Sequence, residues 1–364
     1  MQIETILITG ARAPIALELA RSFSRAGNRV LMADTLHLTV ARWSNTVDKY
    51  YILPSPRFKK QDFVNALQQI IQTETVTHLI PTCEEAFYIA SVKNQLACKV
   101  WTSDWVLMNH LHNKLMFFEH FAKYLQVPDT VLVRNFDDWA RSENYVFKPV
   151  YSRFASSTII RKKVVQKDFL GEKAHQWIAQ KFVKGKEICV YSIWDAGKLK
   201  AFSCYHPLFR AGKGAGIFFE PVEHDKTFQM VKNFGEHIQY SGQLSFDVMV
   251  EGDDAFFIEC NPRGTSGGHL LHRFLATAFL AENPVFQADK TDYALKYLMF
   301  LLQFSSFFKP KVLRAKDVII QKSDILPFLL QPLGLLEIVF NKWSKNISWL
   351  EATTYDIEWN GNWN

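Results

Sequence analysis

The stretch Leu244–His269, LSFDVMVEGDDAFFIECNPRGTSGGH, predicts two apolar strands joined by the acidic turn Glu251–Asp254. Side chains alternate along a strand, so Glu259 and Asn261 are predicted to share one face of the second strand. Asp247 is the acid of the first strand and lies on the face opposite to its apolar neighbours. The stretch therefore predicts a hairpin that carries three oxygen ligands.

Pairing between the two strands decides whether these ligands meet. If Val250 pairs with Phe256, Asp247 lies directly across from Glu259. Two carboxylates and an amide oxygen at the end of an apolar hairpin suit Mg²⁺ rather than zinc, with Mn²⁺ as the alternative ion. A solvated hairpin with ordinary surface acids is the other interpretation, but carboxylates among so many apolar residues need a compensating charge.

The residues after the hairpin add positive charge and backbone donors. Pro262 ends the strand, Arg263 supplies a fixed cation, and a glycine-rich turn precedes a helix predicted near His269–Leu280. Backbone amides in such a turn, around Ser266 and Gly267, are expected to hold anionic oxygens. These features together indicate a site that neutralises phosphate charge.

Length and composition set the class of protein. The chain has 364 residues, of which 48% are hydrophobic, so we expect a large core and two or three subdomains. The net charge of +6 includes no single basic block, so nucleic acid is not an expected partner. The five cysteines show no CxxC pattern, as in a reduced cytoplasmic protein, and no run of 18 apolar residues predicts a membrane span.

Strands and helices alternate in the first part of the chain, which predicts a Rossmann-like α/β domain. The predicted elements are strand Thr5–Thr9, helix Ile15–Ala26, strand Arg29–Ala33, helix Lys60–Thr73 and strand His78–Pro81. The loop after the first strand has one glycine where a dinucleotide-binding loop needs three. A nicotinamide-dependent oxidoreductase is therefore a weaker alternative.

Two acids, Glu84 and Glu85, follow the last of these strands at the start of a helix. Parallel sheets bind ligands at the carboxyl ends of their strands, so both are candidate substrate contacts. The competing interpretation is that the two acids only complement the helix dipole.

The segments F-D-V-M-V and F-I-E-C-N-P-R resemble the C-terminal signature of ATP-grasp ligases, especially those similar to carbamoyl-phosphate synthase and D-alanine ligase. The resemblance implies that Asp247, Glu259 and Asn261 hold Mg²⁺ between the nucleotide phosphates. It also implies that Arg263 faces an acyl phosphate or its acceptor, and that an acid after the strand, as at Glu84, lies near the substrate.

Upstream segments match other motifs of this family in the same order. Lys114 in N-K and Lys148 in V-F-K-P correspond to the lysines that contact nucleotide phosphates. Ser152 and Ser156 lie where the family has a glycine-rich lid, although this chain has no glycine there. The resemblance assigns both serines to ATP binding.

The segment Q-K-F-V-K-G-K-E matches the hinge between the two lobes of the family. The resemblance implies that residues 180–183 (Gln180, Lys181, Phe182 and Val183) bind adenine and that Glu187 binds the ribose hydroxyls. A surface hairpin is the alternative for this segment. The glycine-rich basic stretch from Arg210 to Gly216 predicts a flexible loop that closes over anions, with Arg210 as a catalytic cation, or else a mobile surface loop.

The C-terminal part gives weaker signals. Tyr293–Phe308 predicts an apolar helix, and Leu326–Phe340 is apolar but interrupted by proline and glycine. Core packing or a dimer surface is the usual explanation, with a peripheral membrane contact as the weaker one. The ending Thr353–Asn360 is predicted as a terminal strand without an assigned role.

We therefore expect an α/β and α+β protein with the ATP-grasp fold. The predicted parts are a Rossmann-like pre-ATP-grasp domain (1–108), two lobes that clasp ATP (109–183 and 184–285, the second with the metal site) and a C-terminal extension (286–364). The predicted function is an Mg²⁺- and ATP-dependent carboxylate–amine ligase that acts through an acyl phosphate. A non-catalytic nucleotide-binding scaffold or sensor is the alternative. The expected partners are ATP and small-molecule carboxylates and amines, and a homodimer is the default assembly.

Overall fold

The computed structural model describes residues 3–134, 142–153, 158–160, 176–212, 214–282, 286–349 and 351–361. The strands are β1 (Thr5–Thr9), β2 (Arg29–Asp34), β3 (Lys49–Ile52), β4 (His78–Pro81), β5 (Lys99–Val100), β6 (Thr130–Leu132), β7 (Tyr145–Pro149), β8 (Ile159–Ile160), β9 (Trp177–Lys181), β10 (Lys186–Asp195), β11 (Lys198–Ala211), β12 (Ala215–Pro221), β13 (Gly242–Glu251), β14 (Asp254–Asn261), β15 (Phe286–Gln287), β16 (Tyr293–Ala294) and β17 (Lys316–Asp317).

The helices are α1 (Pro14–Arg25), α2 (Lys60–Thr73), α3 (Glu85–Val92), α4 (Trp105–His112), α5 (Lys114–Phe121), α6 (Asp225–His237), α7 (Leu275–Leu280), α8 (Lys296–Leu302), α9 (Phe304–Phe307), α10 (Pro310–Arg314), α11 (Leu326–Leu329) and α12 (Gln331–Lys345). In the described part of the chain, no helix combines the length and the apolar character needed to cross a membrane.

The first sheet is parallel, with strand order β3-β2-β1-β4-β5. Its strands are short buried apolar runs, as expected when helices cover a parallel sheet. The carboxyl ends of β1, β2 and β4 meet at one edge, where Gly10, Asp34 and Glu84 follow or end the strands. This is the edge at which open α/β sheets bind ligands.

The second and third sheets provide the rest of the site. Antiparallel strands form the second sheet in the order β6-β9-β7-β8, which places Lys148 on β7 next to β9. The third sheet has the order β14-β13-β10-β11-β12-β16-β17, with β15 paired to β11. Helix α6 packs behind the β13–β14 hairpin, and the ring centroid of Phe234 lies 5.8 Å from that of Phe246.

The register of the hairpin differs from the simple pairing, but the two acids still face each other. Val250 pairs with Ala255 rather than with Phe256, and the register shifts between Asp247 and Val248. This β-bulge leaves Ile258 as an extra residue on β14, and it restores the pairing of Asp247 with Glu259. The predicted contact is thus correct although the pairing from which it was derived is wrong.

Four local predictions are wrong because tertiary packing overrides them. The single apolar helix expected over Tyr293–Phe308 is instead strand β16 followed by the two short helices α8 and α9. The glycine-rich basic stretch is the end of a β-hairpin, in which Arg210 pairs with Gly216. The helix expected from His269 begins at Leu275, after a buried 3-10 helix over Ser266–Leu271. The ending Thr353–Asn360 forms no strand; it begins in a 3-10 turn and continues as irregular chain.

Candidate active site

Two carboxylates and a buried lysine form the centre of the site. Asp247 and Glu259 are directly opposed across β13 and β14, and the ammonium of Lys114 lies 3.3 Å from Glu259 Oε1. The side chain of Asn113 accepts a hydrogen bond from the Met116 N–H and caps α5, so Lys114 is held at the first helical position. The Lys114 side chain is only 3% exposed, and its charge therefore acts at short range on the acid pair.

Glu187 belongs to this cluster. The ligand atoms of Glu187, Cys189 and Asp247 all lie within 4.8 Å of one another. Burial raises the pKa of the Cys189 thiol, so Cys189 stays protonated and is a poor metal ligand. Arg210 forms an ion pair of 2.6 Å with Glu187, which places the predicted catalytic cation beside the acids.

The electrostatics of this cluster fit a divalent cation. Burial, followed by the charges of Glu259 and Glu187, raises the pKa of Asp247 to about 7. A hard cation would remove this penalty, because carboxylate and amide oxygens are the ligands that Mg²⁺ and Mn²⁺ prefer. Asn261 ends β14 two residues beyond Glu259, opposite Ser245, and offers the amide oxygen. The three residues inferred from the sequence as metal ligands thus lie on two paired strands, their role as ligands stays a prediction, and Glu187 is a further acid near Asp247 that the sequence assigned elsewhere.

Lys148 is the second buried lysine. Its ammonium donates hydrogen bonds to Gln180 Oε1 (3.0 Å) and to the Ile258 carbonyl oxygen (3.3 Å). Burial lowers the pKa of Lys148, against the opposing charge of Glu259. The carbonyl oxygen of Ser152 accepts a hydrogen bond from Lys114 at 3.0 Å, so the segment after β7 lies next to both lysines. Ser156 lies outside the described residues.

The hinge segment is joined to its neighbours through its backbone. The Lys181 N–H donates to the Asp129 carbonyl and the Phe182 N–H to the Asn144 carbonyl, both at 2.8 Å. Lys181 is exposed, while Phe182 and Val183 are half-buried. Adenine binding by this segment remains a prediction. Because the N–H groups of Lys181 and Phe182 already donate to other carbonyls, the candidates for hydrogen bonds to adenine are the carbonyl groups of the segment and the Val183 N–H.

Glu84 and Arg263 meet beside the acid cluster. Arg263 Nη2 donates to Asn261 Oδ1 at 3.2 Å, and Arg263 Nε lies 4.0 Å from Glu84 Oε1. Both of these atoms are buried and neither has a hydrogen-bond partner among the described residues. Such unpaired buried groups are costly, and a polar ligand would satisfy them.

Glu85 points away from Glu84. Its Oε1 atom accepts hydrogen bonds from Thr9 Oγ1 at 2.8 Å and from the backbone N–H groups of Thr82 and Cys83. Burial raises the pKa of Glu85. The structure thus separates the two predicted substrate acids, and Glu85 ties the loop after β4 to β1.

The segment after Arg263 is packed rather than flexible. Ser203 Oγ donates to the Gly267 carbonyl at 2.8 Å, and a Cβ on Gly267 would lie 2.4 Å from Tyr191 Cβ. The glycine is thus explained by close packing on β10. Ser266 is half-buried at the start of this 3-10 helix, and the predicted substrate contacts of Ser266 and Gly267 stay predictions.

Sequence reasoning missed residues 351–361, which we call the C-terminal segment. Asp356 forms an ion pair of 2.7 Å with Arg12, which also pairs with Asp34 at 2.6 Å. This network fills the loop after β1, where a dinucleotide-binding protein would hold pyrophosphate. Arg12 and Asp356 are 344 residues apart, so no local pattern could have revealed this ion pair.

Arg153 connects the C-terminal segment to the acid cluster. Its guanidinium pairs with Glu84 and with Glu358 (3.3 Å), and it donates to the Trp359 carbonyl. The Trp359 N–H donates to Glu84 Oε2 at 2.9 Å, and its indole is fully buried. Arg153 therefore fixes the C-terminal segment over Glu84.

Comparisons with known proteins agree with this geometry. Residues 111–267 match a family model described as an ATP-grasp domain. A search of curated proteins found no match.

Solved structures show the same fold at low sequence identity. N5-carboxyaminoimidazole synthetase from Staphylococcus aureus, complexed with ADP, has a TM-score of 0.64 at 14% identity, over 84% of this chain and 87% of that chain. Biotin carboxylase from Campylobacter jejuni has a TM-score of 0.59 at 14% identity, over 78% and 72%. L-amino acid ligase from Bacillus licheniformis has a TM-score of 0.57 at 14% identity, over 77% and 74%.

Proposed function

We propose that this chain is an ATP-grasp enzyme that joins a carboxylate to an amine in an ATP- and Mg²⁺-dependent reaction; residues 111–267 match the ATP-grasp domain model, and solved structures of ligases share its fold. The observation that carries the proposal is the half-buried, directly opposed pair Asp247 and Glu259, with Glu187 near Asp247 and Lys114 paired with Glu259. So much negative charge in a half-buried place suits a site for a divalent cation.

In this proposal Asp247, Glu259 and Asn261 hold the metal ion. Mg²⁺ bound there supplies charge neutralisation for the phosphate groups of ATP. The ammonium groups of Lys114 and Lys148 offer two further cations toward the same phosphates. Burial of both lysines strengthens that interaction, because it excludes the water that would screen it.

The proposed reaction has two steps. A carboxylate oxygen of the first substrate attacks the γ-phosphorus, the bond to ADP breaks, and an acyl phosphate forms. The amine nitrogen then attacks the acyl carbon, loses a proton, and displaces inorganic phosphate to give an amide. In this proposal Arg263 stabilises the negative oxygen that develops at that carbon.

The acceptor would bind between Arg263 and Glu84. The unpaired Arg263 Nε is a donor for a carboxylate or phosphate oxygen, and the unpaired Glu84 Oε1 is an acceptor for an amine hydrogen. Both atoms are buried, and Trp359 and Arg153 hold the other oxygen of Glu84, so in this proposal the C-terminal segment moves aside to admit a substrate.

The proposal is tested by ADP release from MgATP with a panel of carboxylates, each with and without amino acids. Hydroxylamine provides a second readout, because it converts an acyl phosphate into a hydroxamate without the natural amine. We expect hydroxamate formation with one class of carboxylate and ADP release that depends on both substrates. The variant Glu259→Gln, measured at the same protein concentration, is the matched inactive control.

Two results would contradict this function. If ATP binds and its affinity is the same with Mg²⁺ and with EDTA, the assignment of the acid cluster as a metal site is wrong. If ATP binds in a metal-dependent way but no carboxylate yields ADP or hydroxamate, the chain is a nucleotide-binding scaffold or sensor.

A further inference from the structure

Helix α12 lies on the body of the protein by one narrow face. The backbone N–H groups of His37 and Leu38 donate to the Glu337 carboxylate at 3.0 and 2.7 Å, and Gly334 packs against the Leu38 carbonyl. No residue of this 15-residue helix is fully buried. Its stability therefore depends on few contacts with the body, which is unusual for so apolar a helix.

The opposite face of α12 is apolar and exposed. Leu336, Phe340 and Trp343 are 61%, 70% and 76% exposed and follow the i, i+4, i+7 spacing of one helix face. The preceding helix adds Leu326 and Leu329, which are 49% and 57% exposed. We call these five residues the α11–α12 face. Contiguous exposed apolar surface of this kind marks a binding surface.

The part of the chain that contains this face carries a net positive charge. Residues 296–349 contain eight lysines and arginines against three acidic residues, so this segment supplies five of the six net charges of the chain. All three acids are engaged internally, since Asp317 accepts from backbone N–H groups, Asp324 pairs with buried Arg21, and Glu337 holds the loop at Leu38. Of the eight cations, Lys311 is itself paired with Glu220, so the other seven determine the charge that the segment shows to a partner.

Aromatic and basic residues also meet at the end of α12. The Lys342 ammonium lies 5.2 Å from the ring centroid of Trp349, which is 55% exposed. Tryptophan and lysine together are typical of helices that lie at a membrane–water interface, where the ring reaches the acyl boundary and the lysine reaches the headgroups. At 1.5 Å per residue, α12 is about 22 Å long, too short to span a bilayer but suited to lie in its surface.

We propose that the α11–α12 face binds the surface of a bilayer that contains anionic phospholipid. The apolar face enters the boundary between headgroups and acyl chains, and the lysines and arginines of residues 296–349 attract the anionic headgroups. A second copy of the chain fits less well, because it would bring another segment with five excess positive charges to the same place. This binding does not depend on the ligase reaction.

The experiment is vesicle flotation with the full chain. Vesicles of phosphatidylcholine with about 30% phosphatidylglycerol are compared with pure phosphatidylcholine, at low salt and at about 0.5 M NaCl. We expect binding to the anionic vesicles that weakens at least tenfold in pure phosphatidylcholine and weakens with salt. The triple variant Leu336→Ser, Phe340→Ser, Trp343→Ser is expected to lose binding at least tenfold.

Matched controls separate this outcome from misfolding or self-association. The variant Val106→Ser, Val131→Ser removes two apolar side chains that are 53% and 50% exposed elsewhere, and it should bind vesicles like the original chain. A second variant, Lys342→Gln, Lys345→Gln, should reduce binding only to the anionic vesicles. Equal binding to both vesicle types, no binding to either, or no effect of the triple variant would overturn the proposal. A dimer that the triple variant converts to a monomer would identify the face as a contact between copies and would also overturn it.

Discussion

The β13–β14 hairpin and the C-terminal segment each contain a carboxylate whose pKa is shifted, but the two shifts have opposite directions. In the hairpin, Asp247 is half-buried among other acids, and its pKa rises to about 7. In the C-terminal segment, Asp356 is buried against Arg12; burial alone would raise its pKa, but Arg12 and Thr35 outweigh that effect and lower it to about 2. Asp247 has no ion-pair partner among the described residues, whereas Asp356 is paired with Arg12, which it shares with Asp34.

This difference separates a site that needs a ligand from a contact that holds the fold. A buried carboxylate without its cation costs free energy, which binding of a metal recovers. A buried carboxylate with an arginine is already satisfied and fixes the chain around it. The hairpin should therefore matter most for activity, and the C-terminal segment for stability.

The largest effect is expected from Glu259→Gln. Loss of one carboxylate from the acid pair should reduce the rate of ADP release by about 1,000-fold, because the metal site loses charge and a ligand. The thermal midpoint without metal should change little, since the variant removes like-charge repulsion next to Asp247 but also the ion pair with buried Lys114. Asp253→Asn, in the exposed turn of the same hairpin, is the control and should keep full activity. If Glu259→Gln releases ADP at the rate of the original chain, the hairpin acids are not needed for activity.

The next effect is expected from Trp359→Ala. Trp359 is fully buried, its ring packs edge-on against Tyr88 and Trp105, and its indole N–H donates to Asn109. Truncation should lower the free energy of unfolding by about 3–5 kcal/mol, measured by urea denaturation. Trp343→Ala, at an exposed tryptophan, should change it by less than about 0.5 kcal/mol. Similar values for the two variants would show that the C-terminal segment is not part of the folded core.

A smaller, pH-dependent effect is expected from Asp356→Asn. The folded pKa of Asp356 is about 2, below the unfolded value of about 3.9, so its contribution to stability is present above about pH 4 and is lost as the pH falls toward 2. The variant should be less stable than the original chain by about 2 kcal/mol at pH 6, and the difference should shrink by pH 2.5. A difference that does not change with pH would mean that packing rather than the ion pair with Arg12 is responsible.

The smallest effect is expected at Asp247, where stability depends on pH in the direction opposite to that at Asp356. Its folded pKa lies above the unfolded value, so its stabilising contribution is present below about pH 4 and is lost as the pH rises through about 7. In EDTA, the thermal midpoint should therefore fall between pH 6 and pH 8 by more in the original chain than in Asp247→Asn. Added Mg²⁺ should raise the midpoint of the original chain at pH 8 and leave that of the variant nearly unchanged. Equal responses of the two proteins to Mg²⁺ would place the metal elsewhere.

Local sequence patterns predicted most of the first sheet and the hairpin because they report on short-range packing. Strands β1 and β4 and helix α2 have the predicted bounds, since buried apolar runs and amphipathic periods need no distant partner to be recognised. The opposition of Asp247 and Glu259 was predictable because the two strands are joined by a short turn. Its register was not, because the β-bulge at Ile258 depends on how β13 pairs with β10 and β14 together.

Other features required contacts between distant parts of the chain. The basic glycine-rich stretch reads as a flexible loop, but Arg210 is fixed by Glu187, which lies on a neighbouring strand. Glu84 and Glu85 look equivalent in the sequence. In the structure Glu85 accepts a hydrogen bond from Thr9, whereas Glu84 pairs with Arg153, and neither contact can be predicted from the local sequence.

The sequence by itself determined the α/β alternation of the N-terminal part, the acidic hairpin and the order of the lysines. Each of these features depends on residues that are close together along the chain. Only the tertiary structure decided that Glu187 lies beside Asp247, that the C-terminal segment lies over Glu84, and that one face of α12 is left uncovered. These features depend on side chains that meet across more than 50 residues of chain, and hydrophobic period and local propensity carry no information about such encounters.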